Sequence, residues 1–144
     1  VQALGHTGAG TTVAVLDTGV DYTRAAFGSC AAAGDPGCAV VYAQDFAPDD
    51  ATPDAHGHGT NVAGTTLGVA PGAEIAALDV FNGGSASDSD VLAAVNWCVA
   101  NRATYNIVAM NMSLGGGLTG SECPDSPYAS AFIQAREAGM LPVI

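Results

Sequence analysis

Lysine is absent from this chain of 144 residues, and Arg24, Arg102 and Arg136 are its only basic residues apart from three histidines. Against 14 acidic residues they leave a net charge of −11. A surface of that sign repels phosphate backbones and anionic lipid, which argues against nucleic acid and membrane as partners. Long apolar runs are missing too, and none approaches the ~20 residues that a membrane helix needs. No basic stretch followed by an apolar one opens the chain, so an exported parent would have lost its leader. Charged residues make up only 12% and hydrophobic ones 49%. That balance argues against disorder and suits a single domain with a real core. It fits a soluble, secreted protein whose copies repel one another.

The four cysteines, at 30, 38, 98 and 123, lack paired Cys-x-x-Cys spacing, which argues against a zinc cage or a thioredoxin motif. Cys30 and Cys38 flank a loop of small residues with a turn signal at Asp35-Pro36-Gly37. A bridge there would close a short loop and contribute about 2.5 kcal/mol on the chain-entropy estimate. Cys98 falls in an apolar helical pattern and suits a core.

What the chain does contain is an alternation of apolar runs and helical patterns. Thr11 to Leu16, Ile75 to Val80, Ile107 to Met112 and Met140 to Ile144 read as strands. Ser87 with Asp90 resembles a capping box, Asp standing for the usual Glu, and Val91, Val95, Cys98 and Val99 mark one helical face. A further helix is expected over Tyr128 to Glu137, stopped by Gly139. Ala47 to Pro53 reads as a solvated loop. Strands alternating with helices of this length predict an α/β fold, doubly wound, with a mainly parallel sheet and helices on both faces.

Ligands in such sheets gather outside the carboxyl ends of the strands, and three polar segments fall near those ends. Asp17 directly follows the first strand and opens Asp17-Thr18-Gly19; alone, it reads equally as a turn cap. The second segment is Asp54-Ala55-His56-Gly57-His58-Gly59-Thr60, leading into a helix whose small Ala63 and Gly64 suit tight packing. Its His-x-His, with Asp54, admits a metal site, a single functional imidazole, or two histidines without a role, and spacing does not separate the three. The third is Asn111-Met112-Ser113-Leu114-Gly115-Gly116-Gly117, a strand running into glycines, where open backbone groups could pair with an added peptide. Gly5 to Gly10 is glycine-rich but precedes the first strand, whereas a dinucleotide loop should follow it.

Taken together, these segments resemble the subtilisin-like serine proteases. Val13-Ala14-Val15-Leu16-Asp17-Thr18-Gly19-Val20-Asp21 is similar to the motif around that family's catalytic Asp, and His58-Gly59-Thr60-Asn61-Val62-Ala63-Gly64-Thr65 to the motif around its catalytic His. Gly68-Val69-Ala70-Pro71-Gly72-Ala73 and Asn111-Met112-Ser113-Leu114-Gly115-Gly116 resemble two further blocks in the family's order. The resemblance implies that His58 is a general base and Asp17 its orienting partner. It assigns Ser113, Leu114, Gly115 and Gly116 to the backbone edge that binds a peptide or protein substrate. It implies no catalytic cofactor; calcium accompanies the family, but no site for it is assigned here.

Two departures stand out. Asn61 occupies a position where the motif usually carries a second His. The nucleophile motif Gly-Thr-Ser-Met-Ala is absent, since Ser113 belongs to the substrate edge and Ser121, Ser126 and Ser130 precede or enter a helix. With family domains roughly twice this length, residues 1–144 are expected to be the N-terminal part of a peptidase domain. The missing C-terminal half is then a partner, and this chain alone should not turn over substrate. A peptide-binding pseudoprotease and a metal-dependent hydrolase on Asp54, His56 and His58 are the competing readings. For the cysteines, peptide mapping without reductant should recover Cys30 linked to Cys38; alkylation of both thiols would refute the pairing.

Overall fold

A computed structural model describes residues 2–48, 50–116 and 126–144. Cys123 and Ser121 lie outside the described residues. The parallel sheet is built from β1 (Thr12–Asp17), β2 (Val40–Asp45), β3 (Glu74–Asp79), β6 (Ile107–Asn111) and β7 (Leu141–Val143), in the order β2-β3-β1-β6-β7. Helices α1 (His58–Val69), α2 (Asp88–Tyr105) and α3 (Ala129–Glu137) make the crossovers. A small antiparallel hairpin, β4 (Phe81–Asn82) and β5 (Ser85–Ala86), precedes α2.

Side chains alternate across a strand, so the two faces of the sheet carry two separate cores. Ala14, Leu16, Ala76, Leu78 and Met110 pack on one face against Val91, Ala94, Val95 and Cys98 of α2 and Ala131 and Ala135 of α3. Val15, Ile75, Ala77 and Val40 pack on the other with Ala63 of α1, Val20 and Phe27. Fully burying a Leu, Ile or Val side chain contributes about 1.5–3 kcal/mol. Strands apolar on both faces, such as β1 and β3, therefore gain most when helices cover both sides. The doubly wound arrangement expected from the alternation of elements is the one observed.

Local signals agree with the helix ends. Ser87 caps α2 and its hydroxyl accepts the Asp90 N–H. Gly139, at φ +83°, follows the end of α3. Cys98 is buried among aliphatic side chains, and burial pushes its thiol up to about 12. Cys30 and Cys38 are bonded, with Cα atoms 5.7 Å apart. β2 is a sheet strand that was not among the expected ones, although Val40-Val41-Tyr42-Ala43 is an apolar run. It lies at the sheet edge, mostly half-exposed, and Tyr42 stacks on Trp97 of α2 with ring centroids 4.5 Å apart. The tight packing of α1 also differs in detail from expectation. Ala63 is fully buried, but a Cβ at Gly64 would meet nothing within 4 Å. The close approach is made by Gly59, where a Cβ would lie 2.1 Å from the Gly19 carbonyl oxygen and 3.1 Å from the Asp17 Cβ.

Three of the parallel strands end in aspartate at one edge of the sheet, with Asp17 and Asp45 both in register with Asp79. Asp79 is buried, and burial first, then the charges of Asp45, Asp50 and Asp54, raises its carboxyl to about 6 against a bond from the Phe81 N–H. It lines an open cavity of about 470 Å³ together with Gly19, Tyr22 and Asp45.

Two outcomes follow. Gly59→Ala should destabilise the fold by about 1–3 kcal/mol through overpacking, read as a lower urea midpoint at unchanged slope. Asp79→Asn should do the opposite. A carboxyl whose folded pKa is raised costs stability as pH climbs from about 4 through about 6, so the Asn variant should be more stable by about 3 kcal/mol at pH 8 and by much less at pH 4. Unfolding curves at the two pH values make that comparison.

Candidate active site

The carboxyl end of β1 and the start of α1 meet at the centre of the sheet edge. Asp17, the last residue of β1, is fully buried. Its Oδ1 accepts the Thr18 N–H at 2.8 Å and lies 2.6 Å from His58 Nδ1. Its Oδ2 is also buried and has no hydrogen-bond partner among the described residues. His58, the first residue of α1, leaves 56% of its side chain exposed. The hydrogen bond to Asp17, then the Asp17 charge, holds the imidazole above its usual value; partial burial opposes this, and the Asp54 charge adds a smaller push upward.

That contact has a chemical consequence. With a carboxylate oxygen at Nδ1, the neutral ring carries its proton there and leaves the lone pair on Nε2. A half-exposed imidazole in this tautomer can accept a proton from a group presented at Nε2, and the carboxylate beside it stabilises the imidazolium that results. Two residues 41 positions apart are thus brought together as an acid-base pair.

The Asp54–His56–His58 combination is not assembled as a ligand set. His56 is exposed, and the contact it makes with Asp54 is through its backbone N–H, at 3.0 Å. Both Asp54 oxygens accept bonds from the loop and helix around them. Among the described residues, no group of three or more His, Cys, Asp or Glu side chains could hold a metal ion.

The Ser113 to Gly116 segment leaves the sheet just past β6. Ser113, Gly115 and Gly116 are exposed, Leu114 is half-buried, and the Asn111 amide donates to the Ser113 hydroxyl at 2.9 Å. Leu114, Gly115 and Gly116 line one side of a cavity of about 500 Å³, closed on the other by Val91, Tyr128 and Phe132. Sequence reading missed these opposite walls, because they come from α2 and α3, and it missed the part played by Asp54. The spacing of Asp54, Gly57 and Thr60 at a helix start was the available signal for the latter.

Comparisons with known proteins show the family. A sequence model of the Subtilase family matches residues 8–144. The chain is 35% identical over 95% of its length to an alkaline proteinase of Hapsidospora chrysogena, covering 32% of that protein. It is 39% identical over 93% of its length to alkaline serine exoprotease A of Vibrio alginolyticus, covering 24% of it. To subtilisin DY of Bacillus licheniformis it is 33% identical over 96% of its length, covering 50%. Among solved structures, the S41 psychrophilic protease superposes with a TM-score of 0.66 at 30% identity, over 94% of this chain and 45% of that one. The chain therefore spans half or less of the length of these relatives. With the family match running through nearly all of its residues, the chain belongs to the subtilases, the family of subtilisin-like serine proteases.

Proposed function

We propose that residues 1–144 are the N-terminal part of a secreted endopeptidase domain that hydrolyses peptide bonds through an Asp-His-Ser triad. In this reading, Asp17 and His58 supply the orienter and the base, and the serine comes from outside this chain. The observation that carries the reading is the 2.6 Å contact between His58 Nδ1 and Asp17 Oδ1. His58 Nε2 takes the proton of the serine hydroxyl as its oxygen attacks the peptide carbonyl. The same proton then passes to the leaving amine as the acyl-enzyme forms. Water deprotonated by the same imidazole cleaves the acyl-enzyme and restores the serine. Asp17 keeps its own charge throughout; its work is to fix the tautomer and to offset the imidazolium.

Ser113, Leu114, Gly115 and Gly116 would bind the substrate main chain as an added strand beside the scissile bond. The fold supports this placement, since the segment continues β6, the immediate neighbour of β1 in the sheet. Without a nucleophile the base has nothing to activate, so this chain by itself should not cleave peptides.

The test is peptide turnover by the full-length protein, with a Ser-directed inhibitor as control. His58→Ala should lower kcat by a factor on the order of 10⁶, the scale of loss for the same change in subtilisin. Retention of full activity would remove His58 from the mechanism. A second outcome is the pH profile. Only the neutral imidazole is a base, and its pKa is raised, so the acid limb should have its midpoint above the ordinary histidine value of about 6.5. Asp17→Asn should move that midpoint down and lower kcat by about 10⁴-fold.

A further inference from the structure

We propose that Asp54 is a positioning residue of the His58–Asp17 pair, locking the start of α1 onto the end of β1 and setting the field in which His58 works. The proposal rests on the catalytic reading of that pair. Asp54 lies four residues before His58, upstream of the motif quoted for it, and its carboxylate makes bonds in three directions. Oδ1 accepts the Thr18 hydroxyl at 2.9 Å and the backbone N–H groups of His56 at 3.0 Å and Gly57 at 2.7 Å. Oδ2 accepts the Thr60 N–H at 2.9 Å and the Thr60 hydroxyl.

These partners bracket the catalytic pair on both sides. Thr18 follows Asp17, and while its hydroxyl donates to Asp54, the same oxygen accepts the Gly59 N–H at 3.0 Å. Gly57 and Thr60 flank His58, and the Thr60 hydroxyl accepts the Asp21 N–H at 2.8 Å. The residue in the capping position of α1, Gly57, has no side chain to satisfy the first helical N–H groups. Asp54 takes that role from three residues upstream, placing a negative charge where a helix N-terminus favours one. Burial pushes the Asp54 carboxyl up, but the bonds from Thr60, Gly57 and His56 outweigh it and hold it below the usual carboxylate range. It therefore remains charged at any pH where His58 is neutral.

The ionisable groups around the pair come from several elements. His58 is faced by Asp17 from β1 and by Asp54 from its own loop. The Asp54 charge, with those of Asp45 of β2 and Asp50, also helps to raise the Asp79 carboxyl of β3. An Asn at position 54 keeps one acceptor oxygen but turns an amide donor toward the Thr60 N–H or toward the other arm. It removes the charge and breaks the brace on one side. Misplacement of a base by a fraction of an ångström is enough to cost an order of magnitude in rate.

The experiment is steady-state peptide hydrolysis by the full-length protein against pH, with rates normalised to active sites titrated by a Ser-directed inhibitor. For Asp54→Asn the expected result is a kcat at least about tenfold lower, KM within about twofold, and an acid limb moved to lower pH. A residue with a purely structural role would reduce the titratable fraction and leave both the normalised kcat and the limb in place, and that result overturns the proposal. If Asp54→Asn does not fold, Thr18→Val removes the arm from Asp54 to the end of β1, together with the acceptor of the Gly59 N–H, and keeps the Asp54 charge. It should lower normalised kcat while leaving the limb nearer wild type, and an unchanged kcat again overturns the proposal. His58→Ala separates the two levels: if that variant keeps its activity, the catalytic reading fails, whereas wild-type behaviour of the position 54 and 18 variants with an inactive His58→Ala defeats only the role given to Asp54.

Discussion

The arrangement depends on how closely α1 approaches the end of β1. Two positions without a Cβ make the approach sterically available. At Gly59 a Cβ would sit 2.1 Å from the Gly19 carbonyl oxygen, and at Gly19, with φ +86°, one would sit 2.2 Å from the Pro53 carbonyl oxygen. Interiors are packed too densely to absorb an added atom of that kind without a backbone shift. The shift would open the space between β1 and α1, and with it the bond from His58 to Asp17. The brace at Asp54 works within the same gap, because its partner Thr18 follows Asp17 and its partner Gly57 precedes His58.

Electrostatics at this edge follow environment more than residue type. A chain of net charge −11 gathers Asp17, Asp45, Asp54 and Asp79 around the ends of parallel strands. Asp54, surrounded by donors, is held low, whereas Asp79, buried, bonded by the Phe81 N–H and acted on by the charges of Asp45, Asp50 and Asp54, is raised. Burial raises both, and the number of donors decides which way each goes. Asp17 uses one oxygen for two contacts, and one of these lifts the imidazole.

Several elements were legible from local pattern. The runs of β1 and β3 are apolar on both faces because both faces are covered, and such runs appear directly in sequence. Ser87 at the start of α2 was legible for an equally local reason, since a cap bonds within three residues. β2 was passed over although Val40-Val41-Tyr42-Ala43 is an apolar run, because the run is short and what marks it as a strand is its pairing with β3 and the packing of Tyr42 on Trp97 and Tyr105. Gly64 was credited with packing that Gly59 performs, since which side of a short helix of small residues faces the sheet is not encoded in their sizes.

Sequence alone determined the alternation of elements, the covered sheet, the family, and the two motif residues Asp17 and His58. Each of these is carried by residues adjacent in the chain or by periodicities of two to four, which a linear reading can see. Only the tertiary structure decided that Asp54 binds Thr18 from 36 positions away and that α2 and α3 wall the cavity beside Leu114. It alone placed Asp79 among carboxylates from two other segments. Those relations arise when parallel crossovers bring distant strand ends to one edge, and hydrogen bonds and burial act on distance in space, not on separation along the chain.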